Sequence, residues 1–472
     1  MAAALAPLTE SSTVEESYIE EPGNTDKPRI TLQLAWSPDE LVYTARTCNG
    51  CGRCRTLSPE ERMCPIYRFA PREEASPRAK ANLMRGILTG RLDTAALADD
   101  DMKEITDLCV NCHQCRMECP ASVDIPRLMV ESKAQYVATN GMRFSDSLLT
   151  RLDRLARWSN RLRPLYNWAI GNRQMRWLIE KTVGVAQGRK LPRVARRSFL
   201  RLAQRRRLHR TARHSGRKVV YFVDVFANWF DVELAEATID VLEHNGVSVF
   251  VPGTQVGAGM SAISEGAIDL ARRLATRNVS LLADAIRQGY QVITTEPAAV
   301  MCLTHEYPNL LDSDDARLVA ENTVDACRYL WQMHEHGQLE LDLQPVVTTV
   351  GYHLPCHLRA LPVPAMGESL IKLIPGLVVK RLDHGCSGMA GTFGLKRKNY
   401  RNSLRAGWDL ISAIRNSPVQ VGTTECSACK LQMEQGTTKP TLHPIKLLAL
   451  SYGLKPEIRE LLHSQSGDLV VT

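Results

Sequence analysis

The stretch Cys109-Val-Asn-Cys112-His-Gln-Cys115-Arg-Met-Glu-Cys119-Pro120 decides how the first third of this chain folds. A second run, Cys48-Asn-Gly-Cys51-Gly-Arg-Cys54 with Cys64-Pro65 further on, has the same layout. Each run supplies three thiolates with two residues between them, and then a remote cysteine before proline. This is the ligand layout of a protein that holds two [4Fe–4S] clusters, and it predicts an electron carrier.

The layout also predicts which cysteines bind each cluster, because the remote Cys-Pro of one run ligates the cluster of the other. We expect the first cluster on Cys48, Cys51, Cys54 and Cys119, and the second on Cys109, Cys112, Cys115 and Cys64. Zinc is the alternative metal. A zinc site needs two Cys-x-x-Cys pairs, whereas each run here has a third cysteine at the same interval.

The composition indicates a globular protein from a reducing compartment. The chain has 472 residues, of which 44% are hydrophobic and 23% charged, and this length predicts two or three domains. No run of eighteen apolar residues is present, and the first 28 residues lack the basic and apolar regions of a secretory signal. Fourteen cysteines in such a chain favour metal ligation over disulfides, and we expect a cytoplasmic location.

Shifts in composition divide the chain into six segments and predict an α+β fold. The gaps between cysteines leave room for helices such as Pro77–Leu88 and Asp101–Leu108, which indicates a helical ferredoxin rather than a β-rich one. The predicted segments are a mobile acidic tail (1–35), a helical two-cluster domain (36–140), a basic helical linker (141–217), two α/β units (218–340 and 341–455) and a C-terminal tail (456–472).

The linker concentrates positive charge. Residues 143–218 contain about 22 Lys and Arg against three acids, while the whole chain has a net charge of +8. Leucine and tryptophan alternate with these charges, as at Trp158, Trp168 and Trp177. Three interpretations remain open here, namely a solvated or packed helical linker, a patch that contacts anionic lipid at the membrane surface, and nucleic-acid binding without a recognised motif.

The C-terminal half contains an internal repeat. Val219–Val225 is similar to Val350–Cys356, and Ile286–Glu296 is similar to Ile414–Glu425 with one residue inserted. Apolar strands alternate with helical stretches, predicted at Leu234–His244, Ala267–Gln288 and Asn402–Arg415. Each copy therefore predicts an α/β unit with a mostly parallel sheet.

Only the second copy has cysteines in the turns after its strands. These are Cys356, Cys386, Cys426 and Cys429, whereas the matching positions of the first copy are Val225, Gly257, Pro297 and Val300. Four thiols from three loops can hold a third [4Fe–4S] cluster or a structural zinc, and an empty or dithiol site also stays open. The flanking His353, His357 and His384 are candidates to donate hydrogen bonds to sulfur or to move protons.

The motifs resemble those of the iron–sulfur subunits that accompany FAD-linked oxidases, such as the glycolate oxidase iron–sulfur subunit. The C-terminal copies look like the cysteine-rich CCG domain shared with heterodisulfide reductase. One departure is Cys386-Ser387-Gly388, where the family has Cys-Cys-Gly. The resemblance is carried by Cys51-Gly-Arg-Cys54, Arg62-Met-Cys64-Pro65, Ser76-Pro-Arg78, Cys119-Pro-Ala-Ser-Val-Asp-Ile125, Pro355-Cys-His-Leu358, Gly385-Cys-Ser-Gly-Met-Ala-Gly-Thr-Phe-Gly394 and Glu425-Cys-Ser-Ala-Cys429.

The resemblance implies the iron–sulfur subunit of an oxidoreductase complex. A partner flavoprotein would oxidise a hydroxy acid or glycerol 3-phosphate, and this chain would pass the electrons to a quinone or similar acceptor, with the basic linker as a possible contact to the inner face of the cell membrane. No nucleotide-binding fingerprint is present, so we expect no flavin of its own. Two alternatives remain, a heterodisulfide-reductase-like enzyme acting at the C-terminal centre and a redox-sensing regulatory protein.

Overall fold

The computed structural model describes residues 18–19, 30–58, 61–211, 216–382 and 384–463. These residues form helices and two parallel four-stranded sheets, with one short antiparallel pair near the start of the chain. The expected mixture of helix and sheet is therefore confirmed.

The N-terminal part is helical, and helix-capping residues explain where its longest helices begin. Ser76 accepts a hydrogen bond from the backbone N–H of Ala79 and is followed by Pro77, which fits the first turn of a helix. The predicted helix Pro77–Leu88 has these bounds in the structure. The elements here are β1 (Tyr18–Ile19), β2 (Ile30–Thr31), α1 (Pro38–Arg46), α2 (Pro65–Phe69), α3 (Pro77–Leu88), α4 (Asp100–Asp107), α5 (Gln114–Glu118) and α6 (Ile125–Asn140).

The predicted boundary of the acidic tail at residue 35 is too late. Leu32 and Leu34 are buried, and the backbone N–H of Leu34 donates a hydrogen bond of 2.9 Å to the buried carboxylate of Glu131. The indole N–H of Trp36 donates to the same carboxylate at 3.1 Å. Packing onto α6 thus begins before residue 36, while residues 1–17 and 20–29 of the predicted tail lie outside the described residues.

The described part of the basic segment forms five helices. Its largest fully buried side chain is Arg189, whose guanidinium donates to the carbonyl of Gly394 and to the hydroxyl of Ser403. This buried cation anchors the segment on the last α/β unit. The helices are α7 (Phe144–Leu149), α8 (Leu152–Arg161), α9 (Arg163–Gly171), α10 (Arg173–Val183) and α11 (Phe199–Arg205).

The first α/β unit follows the predicted alternation of strands and helices. The helices predicted at Leu234–His244 and Ala267–Gln288 are present at Val232–His244 and Ile268–Arg287, with bounds that differ by one or two residues. Residues Cys302–Glu306 form a π-helical turn. The elements are β3 (Lys218–Tyr221), α12 (Val225–Trp229), α13 (Val232–His244), β4 (Ser248–Phe250), α14 (Met260–Ser264), α15 (Ile268–Arg287), β5 (Gln291–Thr294), α16 (Pro297–Met301), α17 (Tyr307–Leu311), α18 (Asp314–Glu321), β6 (Thr323–Asp325) and α19 (Ala326–Glu335).

The second α/β unit differs from expectation in one helix and at its end. The stretch predicted as one helix over Asn402–Arg415 is two helices that meet at Gly407. The predicted C-terminal tail from 456 begins too early, because Ile458 and Leu462 are buried. The elements are β7 (Thr348–Tyr352), α20 (Cys356–Arg359), α21 (Gly367–Ile371), β8 (Leu377–Arg381), α22 (Tyr400–Ala406), α23 (Trp408–Asn416), β9 (Val421–Thr423), α24 (Ser427–Met433), β10 (Thr441–Leu442), α25 (Pro444–Ser451) and α26 (Ile458–His463).

The two sheets have the same strand order. In each sheet the first strand of the unit lies between the second and the third, and the fourth strand is at the edge beyond the third, giving β4-β3-β5-β6 and β8-β7-β9-β10. All pairings are parallel, so turns after the first and third strands of each sheet meet at one edge. The internal sequence repeat itself remains a prediction.

Asp107 of the helical domain forms an ion pair with the second α/β unit. Burial alone would raise the pKa of this carboxyl, but Lys133, Lys103 and Lys398 lower the pKa to about 2. The ammonium of Lys398 lies 3.2 Å from the carboxylate and belongs to the second α/β unit. The charged carboxylate therefore helps hold the two parts together.

We predict that Asp107→Asn lowers the free energy of unfolding at pH 7 by about 1–3 kcal/mol, because it removes the carboxylate that interacts with three ammonium groups. The measurement is anaerobic urea unfolding followed by tryptophan fluorescence. Since the pKa of Asp107 is lowered by folding, its contribution is complete at neutral pH and is lost only as the pH falls from about 4 toward 2. The control is Asp101→Asn on the exposed face of α4, and an equal effect of both variants would contradict the prediction.

Candidate metal centres

The first group of thiols, which we call the surface set, consists of Cys48, Cys51, Cys54 and Cys119. All four line one small cavity in the helical domain, and Cys51 is exposed. Burial raises the pKa of Cys54, although the backbone N–H of Arg78 in the first turn of α3 partly opposes this by hydrogen bonding to the sulfur. Four thiols that converge on one concave wall fit a metal–sulfur cluster, whose positive charge offsets the cost of deprotonating them.

The second group, the inner set, consists of Cys64, Cys109, Cys112 and Cys115. Burial raises the pKa of Cys115 well above that of a free thiol, and the neighbouring Cys112, Cys109 and Cys64 raise it further. The loop that brings these sulfurs together has Asn111 and His113 in the left-handed region, with φ of 52° and 59°. Such backbone strain in residues other than glycine is typical of functional loops.

The C-terminal set consists of Cys356, Cys386, Cys426 and Cys429, and the structure brings them together from three loops. Cys356 begins α20 after the short turn that follows β7, and Cys426 lies directly before α24 in the turn after β9. Cys386 hydrogen bonds with Cys356, and Cys426 with Cys429, so the four thiols lie in two contacting pairs. A hydrogen bond from Cys426 is the main reason that the pKa of Cys429 is well below its usual value.

Polar groups around the C-terminal set donate hydrogen bonds to its sulfurs. The backbone N–H of Gly388 lies 3.2 Å from the sulfur of Cys386, and the hydroxyl of Ser387 donates to Cys429 at 3.2 Å. His353 is fully buried and also lowers the pKa of Cys429. N–H and O–H donors of this kind stabilise negative charge on metal-bound sulfur.

The other two predicted histidines have different surroundings. His357 lies 3.0 Å, through Nε2, from the backbone oxygen of Asn111 in the loop of the inner set, and burial lowers its pKa. His384 is exposed. His353 and His357 therefore both lie close enough to Cys429 to interact with its charge, whereas His384 faces solvent.

Two glycines let the Cys386 loop pack onto the helices behind it. A Cβ at Gly388 would lie 2.3 Å from the carbonyl oxygen of Ser403, and a Cβ at Gly407 would lie 2.0 Å from that of Ser387. Gly388 also has φ of +81°. This close approach explains why the predicted helix over Asn402–Arg415 is interrupted at Gly407.

A cavity of about 810 Å³ connects the inner set and the C-terminal set. Its wall includes Cys109 and Cys112 of the former and all four cysteines of the latter, and most of the rest is apolar. Val225 and Gly257, which the sequence aligns with Cys356 and Cys386, line the same cavity. Helix α8 contributes a further wall, where the exposed Arg154 and Arg157 indicate that the cavity opens toward solvent.

Sequence reasoning missed two acids on this wall, Asp224 and Glu296. Burial raises the pKa of Glu296 to about 8, with Asp224 adding to the shift, and burial raises the pKa of Asp224 to about 6. A carboxylate oxygen of Glu296 accepts a hydrogen bond of 3.0 Å from the backbone N–H of Ser427. The sequence does contain a signal that could have identified Glu296, because the internal repeat aligns Glu296 after β5 with Glu425 after β9.

Two stretches of the chain match known protein families. Residues 44–123 match the 4Fe-4S dicluster domain, and residues 350–434 match the cysteine-rich domain. The first match contains every cysteine of the surface and inner sets, and the second contains the C-terminal set. The N-terminal region is thus a dicluster domain, and the C-terminal region has a further cysteine-rich centre.

Several curated proteins are similar over much of the chain. The C subunit of the anaerobic glycerol-3-phosphate dehydrogenase of Escherichia coli is 30% identical over 85% of this chain and 97% of its own length. D-2-hydroxyglutarate dehydrogenase of Pseudomonas putida is 23% identical over 90% of this chain but only 46% of its own length. Lactate utilization protein A 2 of Bacillus mycoides is 27% identical over 38% of this chain and 75% of its own.

We predict that Gly388→Ala removes the metal of the C-terminal set while the surface and inner sets keep theirs, because the added Cβ collides with Ser403. If that centre is a cluster, iron content falls from about twelve to about eight per chain. The measurement is iron and zinc content of anaerobically purified protein. Gly391→Ala is the matched control, since Gly391 also has a positive φ but a Cβ there meets nothing within 4 Å. Equal metal loss in both variants would show that backbone strain, not the collision, is responsible.

Proposed function

The chain belongs to the family of iron–sulfur subunits that includes the C subunit of anaerobic glycerol-3-phosphate dehydrogenase, and from this premise we propose that it carries electrons from a flavoprotein dehydrogenase to a quinone. The relatives named as dehydrogenases support a dehydrogenase partner. The substrate class that we propose for that partner is a hydroxy acid or glycerol 3-phosphate. The observation that carries the proposal is the apolar cavity between two sets of thiols.

We assign the surface set and the inner set as the ligands of two [4Fe–4S] clusters, and the C-terminal set as the ligands of a third, with zinc as the alternative. When bound, such clusters supply one-electron transfer. The residues of the chain contribute the thiolates, the N–H donors to sulfur and the exclusion of water. These features tune how readily a bound cluster accepts an electron.

The positions of the three sets suggest a direction of transfer. Cys51 of the surface set is exposed and therefore accessible to a partner protein. Cys115 of the inner set lines the small cavity of the surface set, while Cys109 and Cys112 line the larger cavity. Burial raises the pKa of the Cys112 thiol, and the neighbouring Cys356 raises it further. The amide of Gln114 donates to the backbone oxygen of Cys356 at 2.8 Å and holds these two loops in contact.

The cavity suits a quinone better than a polar acceptor. Its volume of about 810 Å³ and its mostly apolar wall are typical of sites for small organic molecules. Reduction of a quinone to a quinol takes up two electrons and two protons. Glu296 and Asp224 place protonatable carboxyls on the same wall, and the raised pKa of Glu296 keeps it largely protonated at neutral pH.

The basic segment carries an apolar surface that suits the membrane interface. Trp158, Trp168 and Trp177 of α8 to α10 are 63%, 54% and 52% exposed, and Leu162 and Leu165 are exposed beside them. Interfacial tryptophans among arginines favour peripheral contact with anionic lipid. Among the described residues, no helix combines the length and the hydropathy needed to cross a bilayer. This surface would place the cavity near membrane-dissolved quinone, since α8 also lines the cavity.

We predict that Ala298→Trp, which places an indole ring in the cavity without altering a cysteine, slows quinone reduction at least about tenfold. The measurement is stopped-flow recovery of cluster absorbance when dithionite-reduced protein is mixed with a short-chain quinone. The control is Ala138→Trp on the exposed end of α6. Normal iron content with an unchanged rate in Ala298→Trp would exclude the cavity as the acceptor site.

We predict that the triple variant Trp158→Ser, Trp168→Ser and Trp177→Ser loses most of its binding to vesicles that contain anionic lipid, because it loses the apolar groups that enter the interface. Flotation with vesicles measures the bound fraction, and rising salt should weaken the binding of the unaltered protein. Trp408→Ser is the control, since Trp408 is 58% exposed on the last α/β unit. Vesicle binding unchanged in the triple variant would refute membrane contact through this surface.

A further inference from the structure

Outside the three sets of cysteines, His113, Asp124 and His305 form a second cluster of potential metal ligands. One donor atom from each residue lies within 4.8 Å of the others. His113 and Asp124 belong to the helical domain, and His305 belongs to the first α/β unit. Sequence reasoning did not find this group, because its members are up to 192 positions apart and share no motif.

Local structure aims each of the three side chains at the same place. His113 has φ of 59° directly before α5. Asp124 caps α6, with Oδ1 accepting from the backbone N–H of Arg127 at 3.1 Å, while Oδ2 lies 3.6 Å from Nε2 of His305. His305 is in the π-helical turn Cys302–Glu306, and π turns within helices are frequent at functional sites.

The orientation of the His113 ring follows from its contact with Glu306. Nε2 of His113 lies 2.8 Å from a carboxylate oxygen of Glu306 and donates to it, so Nδ1 is the ring nitrogen left to face a metal ion. Nδ1 of His113 is buried without a hydrogen-bond partner among the described residues, and Nε2 of His305 faces the carboxylate of Asp124 at 3.6 Å, beyond ordinary hydrogen-bond length. A histidine whose second ring nitrogen donates to a carboxylate is the usual arrangement of a metal ligand.

We propose that Nδ1 of His113, Nε2 of His305 and Oδ2 of Asp124 bind one divalent transition-metal ion, for which zinc is the representative. Two imidazoles and one carboxylate are a donor set used for zinc and for non-haem iron(II), with one position left for water or another ligand. Glu306 orients His113 and is itself held by the amide of Asn111 at 3.0 Å. The ion would join the helical domain to the first α/β unit, independently of the proposed electron transfer.

The guanidinium of Arg116 opposes this site. Its Nη1 lies 3.4 Å from Nδ1 of His305, which must carry the ring proton when Nε2 binds a metal. Metal binding therefore requires this long contact to open. Removing the guanidinium should consequently strengthen metal binding, whereas a purely hydrogen-bonded cluster would gain nothing from the change.

The test is equilibrium dialysis of the anaerobically purified, cluster-containing protein, briefly treated with EDTA, against radioactive zinc. We expect one zinc per chain that is absent in His305→Ala, with the iron content unchanged. Asp124→Asn keeps a helix-capping side chain and should weaken binding strongly, and Glu306→Gln should weaken it by about 10–100-fold. Arg116→Leu should tighten it, and His336→Ala, at an exposed position, is the control.

Two outcomes would overturn the proposal. One is zinc binding to the unaltered protein that is no greater than binding to His305→Ala. The other is zinc that is retained in His305→Ala but lost in Cys386→Ser, which would assign the ion to the C-terminal set. Iron content measured on every variant separates loss of this site from general misfolding.

Discussion

The constraint on which the rest of the structure depends is the convergence of cysteine thiols in groups of four, most of them partly or fully buried. Burial raises the pKa of Cys54, Cys112 and Cys115, so their thiolates form readily only where a metal cluster compensates the charge. The chain adopts unusual backbone conformations to bring the thiols together, with left-handed residues at Asn111 and His113. The backbone N–H of Arg78 in the first turn of α3 hydrogen bonds to the sulfur of Cys54, and that of Gln114 at the start of α5 to the sulfur of Cys112.

The two parallel sheets bring together turns that are far apart in the sequence. Because both sheets have the same strand order, the turns after their first and third strands lie at one edge. In the second unit these turns carry Cys356 and Cys426, whereas in the first unit they carry Val225 and the segment after Glu296. One side of the cavity therefore offers four thiols and the other offers apolar groups and two protonatable acids, and this combination underlies our proposal that an apolar acceptor is reduced there.

Much of the local structure was predictable from sequence, and the failures have physical reasons. Helix α3 has the predicted bounds because Ser76 and Pro77 encode its start. The helix predicted over Asn402–Arg415 is broken because Gly407 must approach the carbonyl oxygen of Ser387, a contact between residues 20 positions apart. The predicted end of the acidic tail at residue 35 is too late because Glu131, almost 100 positions away, accepts a hydrogen bond from the backbone of Leu34.

The sequence by itself determined the family, the number of cysteine sets and the spacing of ligands within each loop, since ligands three residues apart are positioned by their own turn. Tertiary structure alone decided that Cys51 is exposed, that the inner and C-terminal sets share one cavity, and that His113, Asp124 and His305 meet. These features depend on packing between elements distant in the chain. The geometry of such contacts is set by how whole units pack against one another. Side-chain periodicity and local turns therefore carry no information about them.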